Sequence, residues 1–99
     1  MFVGTLKIEL IIPGSTSLKD KRRVIQSLKN KIKSKFNVSI AEIDYHDKWQ
    51  RSLIGLCFVN GEKKEIEDIC LKIKNVIFEN SEVLVINEIT RIIYVGENE

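Results

Sequence analysis

The sequence predicts an α+β fold in which a four-stranded antiparallel sheet carries two helices on one of its faces. Apolar residues alternate with polar ones in the first segment and are concentrated in three later ones, which predicts four strands, and they recur with helical spacing in two others. These six elements follow the order βαββαβ. Two split βαβ units with right-handed crossovers turn this order into a ferredoxin-like sandwich. A chain of 99 residues can form one hydrophobic core, so we expect a single domain over residues 1–95 and a frayed tail over residues 96–99.

The first strand and the first helix are the most clearly marked elements. A Pro-Gly pair ends the strand, because proline donates no hydrogen bond to the sheet and glycine permits a tight turn. Ser17 is a suitable N-cap, with Asp20 three residues later in place of the usual capping-box glutamate. Apolar residues at helical spacing then predict a helix of about 18 residues from Leu18. The core side of the strand carries Phe2, Leu6, Ile8, Leu10 and Ile12.

The remaining elements follow from the same patterns. Residues 38–45 and 53–59 are predicted strands, residues 62–80 a helix, and residues 83–95 a last strand that is bent or bulged near Asn87. The third strand is apolar on both sides, so either Leu53 or Ile54 faces away from the helices. A sheet whose second face is apolar favours a cover, so we expect a homodimer or another partner to dock there.

Composition excludes several classes of protein. No apolar run approaches the ~20 residues that a bilayer crossing needs, and Lys7 and Glu9 interrupt the apolar N-terminal segment. We therefore expect a cytoplasmic protein with no membrane partner. Cys57 and Cys70 are not in a C-x-x-C pair, which predicts two reduced thiols packed as small apolar side chains.

Groups that could carry out catalysis are scarce. His46 is the single histidine, and the glycines do not form a phosphate-binding loop. Glu42, Asp44 and Asp47 could hold a divalent cation, but a solvated strand end explains them more simply. We expect no enzyme, no metal, no cofactor and no small-molecule substrate.

Charge is unevenly distributed along the chain. The net charge is +2, yet the segment from Lys19 to Lys35 has eight basic residues and one acid, so it carries +7 and the remainder carries −5. A solvated helix face usually mixes both signs. A helix of one sign indicates an anionic partner, because its cations can neutralise phosphates without reading a base sequence. Basic residues that point away from the apolar side of the helix, or lie on the flank of that opposite face, include Lys19, Arg22, Arg23, Lys29 and Lys33.

Lys21 points towards the apolar side of this helix. Its side chain either extends over the sheet edge to reach water or pairs with an acid on a neighbouring strand.

The polar loop between the second and third strands contains Trp49 and Arg51. The strand directions place this loop beside the N-terminal turn of the first helix. Trp49 either covers the end of the core or stacks on an unpaired base. Arg51 pairs either with a phosphate or with Asp20 or Asp47.

Several segments resemble the YlxP-like family, small bacterial proteins classed as a domain of unknown function. They are Pro13-Gly14 followed by residues 17–25, then residues 36–42, then residues 47–51 with Gly55. The resemblance extends to about Val95 and implies a ferredoxin-like fold. Genes of this family commonly lie beside those for translation initiation and ribosome maturation factors, which implies a role associated with the ribosome or RNA. The family has no established catalytic residues, so its characteristic residues here are candidate contacts: Lys19, Lys21, Arg22, Arg23, Trp49, Gln50 and Arg51.

The sequence therefore predicts a non-catalytic protein that binds ribosomal or other structured RNA. The alternative is a protein-interaction module or homodimer that docks through the apolar sheet face. The predicted RNA contacts are Lys19, Lys21, Arg22, Arg23, Lys29, Lys33, Trp49 and Arg51.

Overall fold

A computed structural model of the chain describes residues 1–96 and has the predicted order of elements. Apart from Gly96, the predicted frayed tail over residues 96–99 lies outside the described residues. The element bounds are β1 Phe2–Ile11, α1 Leu18–Lys35, β2 Ser39–Asp44, β3 Arg51–Asn60, α2 Lys63–Phe78 and β4 Leu84–Tyr94.

The four strands form one antiparallel sheet in the order β2-β3-β1-β4. Both helices pack on one face of it, which confirms the predicted ferredoxin-like fold. Strand β1 pairs with β3 along its whole length, from Phe2 opposite Asn60 to Ile11 opposite Arg51. Strand β4 pairs with the other side of β1, and its register shifts at Ile86, close to the predicted bulge.

The core lies between the sheet and the helices. Leu6, Ile8 and Leu10 of β1 are buried there, as the alternation predicts. Ile54 is fully buried on the same face, so the neighbouring Leu53 faces away from the helices. Each large apolar side chain buried in this way contributes about 1.5–3 kcal/mol relative to leaving it exposed.

The other face of the sheet is open and largely apolar. No described element covers it, and Val59, Ile89 and Ile93 are all exposed there. Gly55 leaves a depression at its centre, part of a cavity of about 460 Å³ beside Ile43. A Cβ at this glycine would lie 2.8 Å from Ile43 Cγ1.

Neither helix within residues 1–96 has the length and hydrophobicity that a bilayer crossing requires.

Helix α1 begins with the predicted N-cap. Ser17 Oγ accepts a hydrogen bond from the Asp20 backbone N–H at 3.0 Å. Asp20 differs from a capping-box glutamate, because its shorter side chain accepts from the hydroxyl and backbone N–H of Thr16, at 2.6 and 3.1 Å. These two hydrogen bonds, the hydroxyl's above all, lower the pKa of Asp20.

Asp20→Ala should lower the free energy of unfolding at neutral pH, because Thr16 loses its acceptor. The folded-state pKa lies below the ordinary value of 3.8, so the carboxylate's contribution is complete above that value and disappears as the pH falls through the lower pKa. Wild type and variant should therefore become more similar in acid, as measured by chemical denaturation at successively lower pH. Asp47→Ala is the control, and a difference that persists in acid would contradict this role for the charge.

Candidate nucleic-acid interface

Lys21 is buried at the start of α1, with 1% of its surface exposed. Its ammonium donates to the carbonyl oxygens of Tyr45 at 2.6 Å and Arg51 at 3.2 Å, and lies 3.1 Å from Glu42 Oε2. Of the two possibilities for this residue, pairing with an acid on a neighbouring strand is therefore the one observed. The prediction that Lys21 contacts RNA is wrong, because its charge is enclosed by oxygen atoms of the protein itself.

Glu42 is held from two sides. Besides Lys21, Ser52 donates its hydroxyl to Glu42 Oε2 at 2.6 Å, and Ser52 is itself buried. Breaking a buried ion pair by removing one partner costs about 3–5 kcal/mol, since the other charge is left without compensation.

Two of the three acids considered as a cation site have partners within the protein. Glu42 faces Lys21, and Asp44 accepts from the Tyr45 backbone N–H at 2.6 Å. Within residues 1–96, no group of three or more histidine, cysteine or acidic side chains is placed to hold a metal ion. The structure thus gives no support to a divalent cation at this strand end.

Gln50 fastens the β2–β3 loop to the turn before α1. Its side-chain amide donates to the carbonyls of Ser15 at 2.9 Å and Pro13 at 3.2 Å. Its own carbonyl accepts from the Ile12 backbone N–H at 2.9 Å. The predicted proximity of the loop and the N-terminal turn is confirmed, and Gln50 supplies part of the connection.

Arg51 is partly engaged within the protein. Its guanidinium bonds Glu9 Oε1 at 3.1 Å and stacks over the Tyr45 ring, with 4.1 Å from Cζ to the ring centroid. The predicted partners Asp20 and Asp47 are wrong, because β1 places Glu9 beside the start of β3 instead.

Trp49 lies on the surface of the same loop, with 55% of its area exposed. It lines a shallow cavity of about 500 Å³ together with Ile11, Asp47 and Lys48. The indole therefore does not cover the end of the core, and it is accessible to a stacking partner.

Four cations of α1 form what we call the basic stripe: Lys19, Arg22, Lys29 and Lys33. Their spacing of three, seven and four residues places them along one side of the helix. Lys29 is half-buried and the others are exposed. In the part of the chain that the structure describes, none of the four has a carboxylate within salt-bridge distance.

Arg23 lies outside the basic stripe. Its guanidinium bonds Glu82 Oε2 at 2.9 Å, in the connection between α2 and β4. This hydrogen bond raises the pKa of Arg23. Arg23 is therefore already neutralised and is a weaker candidate for phosphate contact than the members of the stripe.

A family model described as "Protein of unknown function (DUF503)" matches residues 3–89. The chain belongs to this family. The uncharacterized protein YlxP of Bacillus subtilis (strain 168) is 40% identical over 65 residues, which cover 66% of this chain and 71% of that protein. The resemblance to the YlxP-like family is thereby confirmed.

One designed protein shares the fold of this DUF503 member. The de novo designed protein Foldit4 has a TM-score of 0.55 and 13% identity, covering 97% of this chain and 100% of the designed one. A designed protein with a ferredoxin fold, LFR1 1, has a TM-score of 0.46 and 12% identity, covering 98% and 90%. The likeness to Foldit4 concerns the fold alone.

In this DUF503 member, Lys21→Met should lower the free energy of unfolding by up to about 3–5 kcal/mol, because the partly buried Glu42 would lose its counter-charge. Urea denaturation measures the loss. Lys33→Met, an exposed lysine of the same helix, is the control and should change stability by less than about 1 kcal/mol.

Replacing both partners, as Lys21→Met with Glu42→Gln, should restore part of the loss, because neither charge of the pair then remains. Equal losses in the single and double variants would contradict the ion-pair interpretation.

Proposed function

We propose that this protein binds structured RNA without catalysing a reaction, through phosphate contacts along the basic stripe. The observation that carries the proposal is the absence, within the described residues, of a carboxylate partner for any of its four cations. Cations that make no ion pair within the protein can release the counterions of a phosphate backbone without first breaking internal bonds.

The dimensions of the basic stripe suit a backbone contact. From Lys19 to Lys33 the helix rises about 21 Å at ~1.5 Å per residue. Four cations over this length can follow consecutive phosphates, but they do not identify bases. Recognition of this kind depends on the shape of a folded RNA.

The sheet lacks the aromatic platform with which many ferredoxin-like proteins bind single-stranded RNA. On the two central strands, Phe58 is buried against the helices and Phe2 packs against the same core. The open face of β1 and β3 instead shows aliphatic and small residues together with the charged Lys7, Glu9 and Arg51, and no aromatic ring. This arrangement favours the helix over the sheet as the RNA-binding surface.

Trp49 extends the proposed surface beyond the helix. The bonds of Lys21 and Gln50 hold its loop against the start of α1, where Lys19 and Arg22 lie. We assign stacking on an unpaired base to Trp49, and Arg51 adds charge beside it. The gene neighbourhood of the YlxP-like family supports ribosomal RNA as the ligand, and hence a cytoplasmic location.

A second candidate function is a protein-interaction module that uses the open sheet face. The exposure of Val59, Ile89 and Ile93 favours it, because an apolar surface of this kind often marks an interface. Loss of RNA binding when the basic stripe is removed would favour RNA binding over this second function. The stripe lies on the helix side of the sheet, whereas the open apolar face is on the other side.

Changing the four residues of the basic stripe to glutamine should weaken RNA binding. The slope of log affinity against log salt concentration should fall by about 0.7–0.9 for each lost phosphate contact. Filter binding to ribosomal RNA fragments across a salt series measures this slope. The melting temperature should change little, because three of the four charges are exposed and exposed charges contribute little to folding.

The matched control removes the same amount of charge elsewhere, by changing four exposed lysines to glutamine: Lys31, Lys63, Lys64 and Lys72. A slope reduced equally in both variants would reject the basic stripe, because only net charge would then matter.

Trp49→Ala should weaken binding to RNA with unpaired loops by about 1–3 kcal/mol, the range measured for base–aromatic stacking. Its effect on unfolding should be below about 1 kcal/mol, because the indole is largely exposed. Trp49 is the single tryptophan, so quenching of its fluorescence on RNA addition reports the contact directly. Emission unaffected by saturating RNA would exclude stacking.

A further inference from the structure

The two edges of the sheet differ in their protection against pairing. The edge strand β2 has six residues, a register shift between Glu42 and Asp44, and a positive φ of 63° at Tyr45 just after it. The edge strand β4 has eleven residues, and its bulge at Ile86 leaves residues 87–94 regular. Short, bulged and acidic edges resist strand addition, whereas long apolar edges favour it.

Strand β4 is apolar as well as long. Five of its residues are between 46% and 60% exposed, on both faces of the strand: Leu84, Ile86, Ile89, Ile93 and Tyr94. Among residues 1–96, no strand pairs with its outer side. The backbone groups on that side therefore lie among exposed apolar side chains, with the polar Asn87, Glu88, Thr90 and Arg91 around the middle of the strand.

Helix α2 presents two further exposed apolar side chains near this edge. Leu71 and Phe78 are 61% and 56% exposed and share one side of the helix with Lys74, which lies between them. Lys74 Nζ lies 3.2 Å from Glu88 Oε1 of β4, so this side of α2 is the one beside the β4 edge. The sheet layer and the helix layer thus both present apolar groups at one border of the molecule.

We propose that a second copy of this chain occupies this border, with the two β4 strands antiparallel about a two-fold axis. The two sheets then form one continuous sheet of eight strands, and Leu71 and Phe78 of each copy pack against α2 of the other. In a register centred on Ile89, each Arg91 lies opposite Asn87 of the partner and each Glu88 opposite Thr90 of the partner, so no like charges are directly opposite each other.

The extent of this border is sufficient for a stable dimer. Eleven residues at ~3.3 Å span about 36 Å, and a sheet with one helix layer is about 20 Å deep, giving roughly 700 Å² per copy. The total of about 1,400 Å² is within the range of specific interfaces. About a two-fold axis, β4 pairs with the partner's β4 while α2 packs against the partner's α2, so both parts of the surface are buried together. A foreign strand would pair with β4 but would leave Leu71 and Phe78 of α2 exposed.

The proposed dimer is independent of the proposed RNA binding and is compatible with it. Helix α1 packs against β2, on the far side of the sheet from β4. The basic stripe therefore remains accessible in the dimer, and either property can fail without the other.

The test compares two variants by sedimentation equilibrium from micromolar to millimolar protein. Wild type should approach twice the 11.4 kDa of one chain. The edge variant, Leu71→Glu with Phe78→Glu, should dissociate at least a hundredfold more readily. The face variant, Val59→Glu, lies on β3 away from this edge and should dimerise like wild type. All three residues are exposed, and circular dichroism verifies that both variants are folded.

Amide hydrogen exchange of β4 gives a second measurement on the unmodified chain. Exchange in residues 87–94 should slow as the protein concentration rises, while exchange in β2 should not change. A wild type that stays monomeric at millimolar concentration would overturn the proposal. The proposal would also be overturned if the face variant were monomeric while the edge variant remained dimeric, because the open sheet face would then be the interface.

Discussion

The ammonium group of Lys21 holds together the end of the molecule where the loop and the first helix meet. It is surrounded by oxygen atoms from β2, the β2–β3 loop and the first residue of β3. A charge withdrawn from water in this way is stable only while those oxygens stay in place. The positions of α1, the loop and both strands therefore depend on one another through this single group.

The remaining charges of α1 can be interpreted against this arrangement. Lys21 and Arg23 have carboxylate partners inside the protein, whereas the basic stripe has none among the described residues. One helix thus contributes an internal ion pair on one side and accessible cations on another. The border formed by α2 and β4 carries exposed apolar side chains, so the accessible cations of α1 and this border lie at opposite edges of the sheet.

Local patterns were sufficient to predict the fold. Period-two alternation predicted which side of β1 faces the core. Ser17 predicted the start of α1, and the hydrogen bond that its hydroxyl oxygen accepts from the Asp20 backbone N–H confirms this N-cap. Partners far apart in sequence were harder to predict. Helical periodicity placed Lys21 towards the core, but several acids were available, and pairing with Glu42 depends on how β2 passes the helix. Arg51 bonds Glu9, 42 residues earlier, because the β1–β3 register brings the two together. The sequence does not determine that register, since β3 is apolar on both sides. No local pattern indicates that Gln50 would bond the Pro13–Ser15 turn or that Trp49 would be exposed.

The attachment of the β2–β3 loop has a consequence for the entropy of binding. Lys21 holds the loop through its backbone carbonyls, and Gln50 fixes it to the turn before α1. The loop is therefore already ordered before any ligand arrives. Ordering a loop on association normally opposes binding, and a ligand that contacts Trp49 avoids most of that cost. Even a few contacts at this preorganised surface can then contribute to affinity more than the same contacts on a flexible loop.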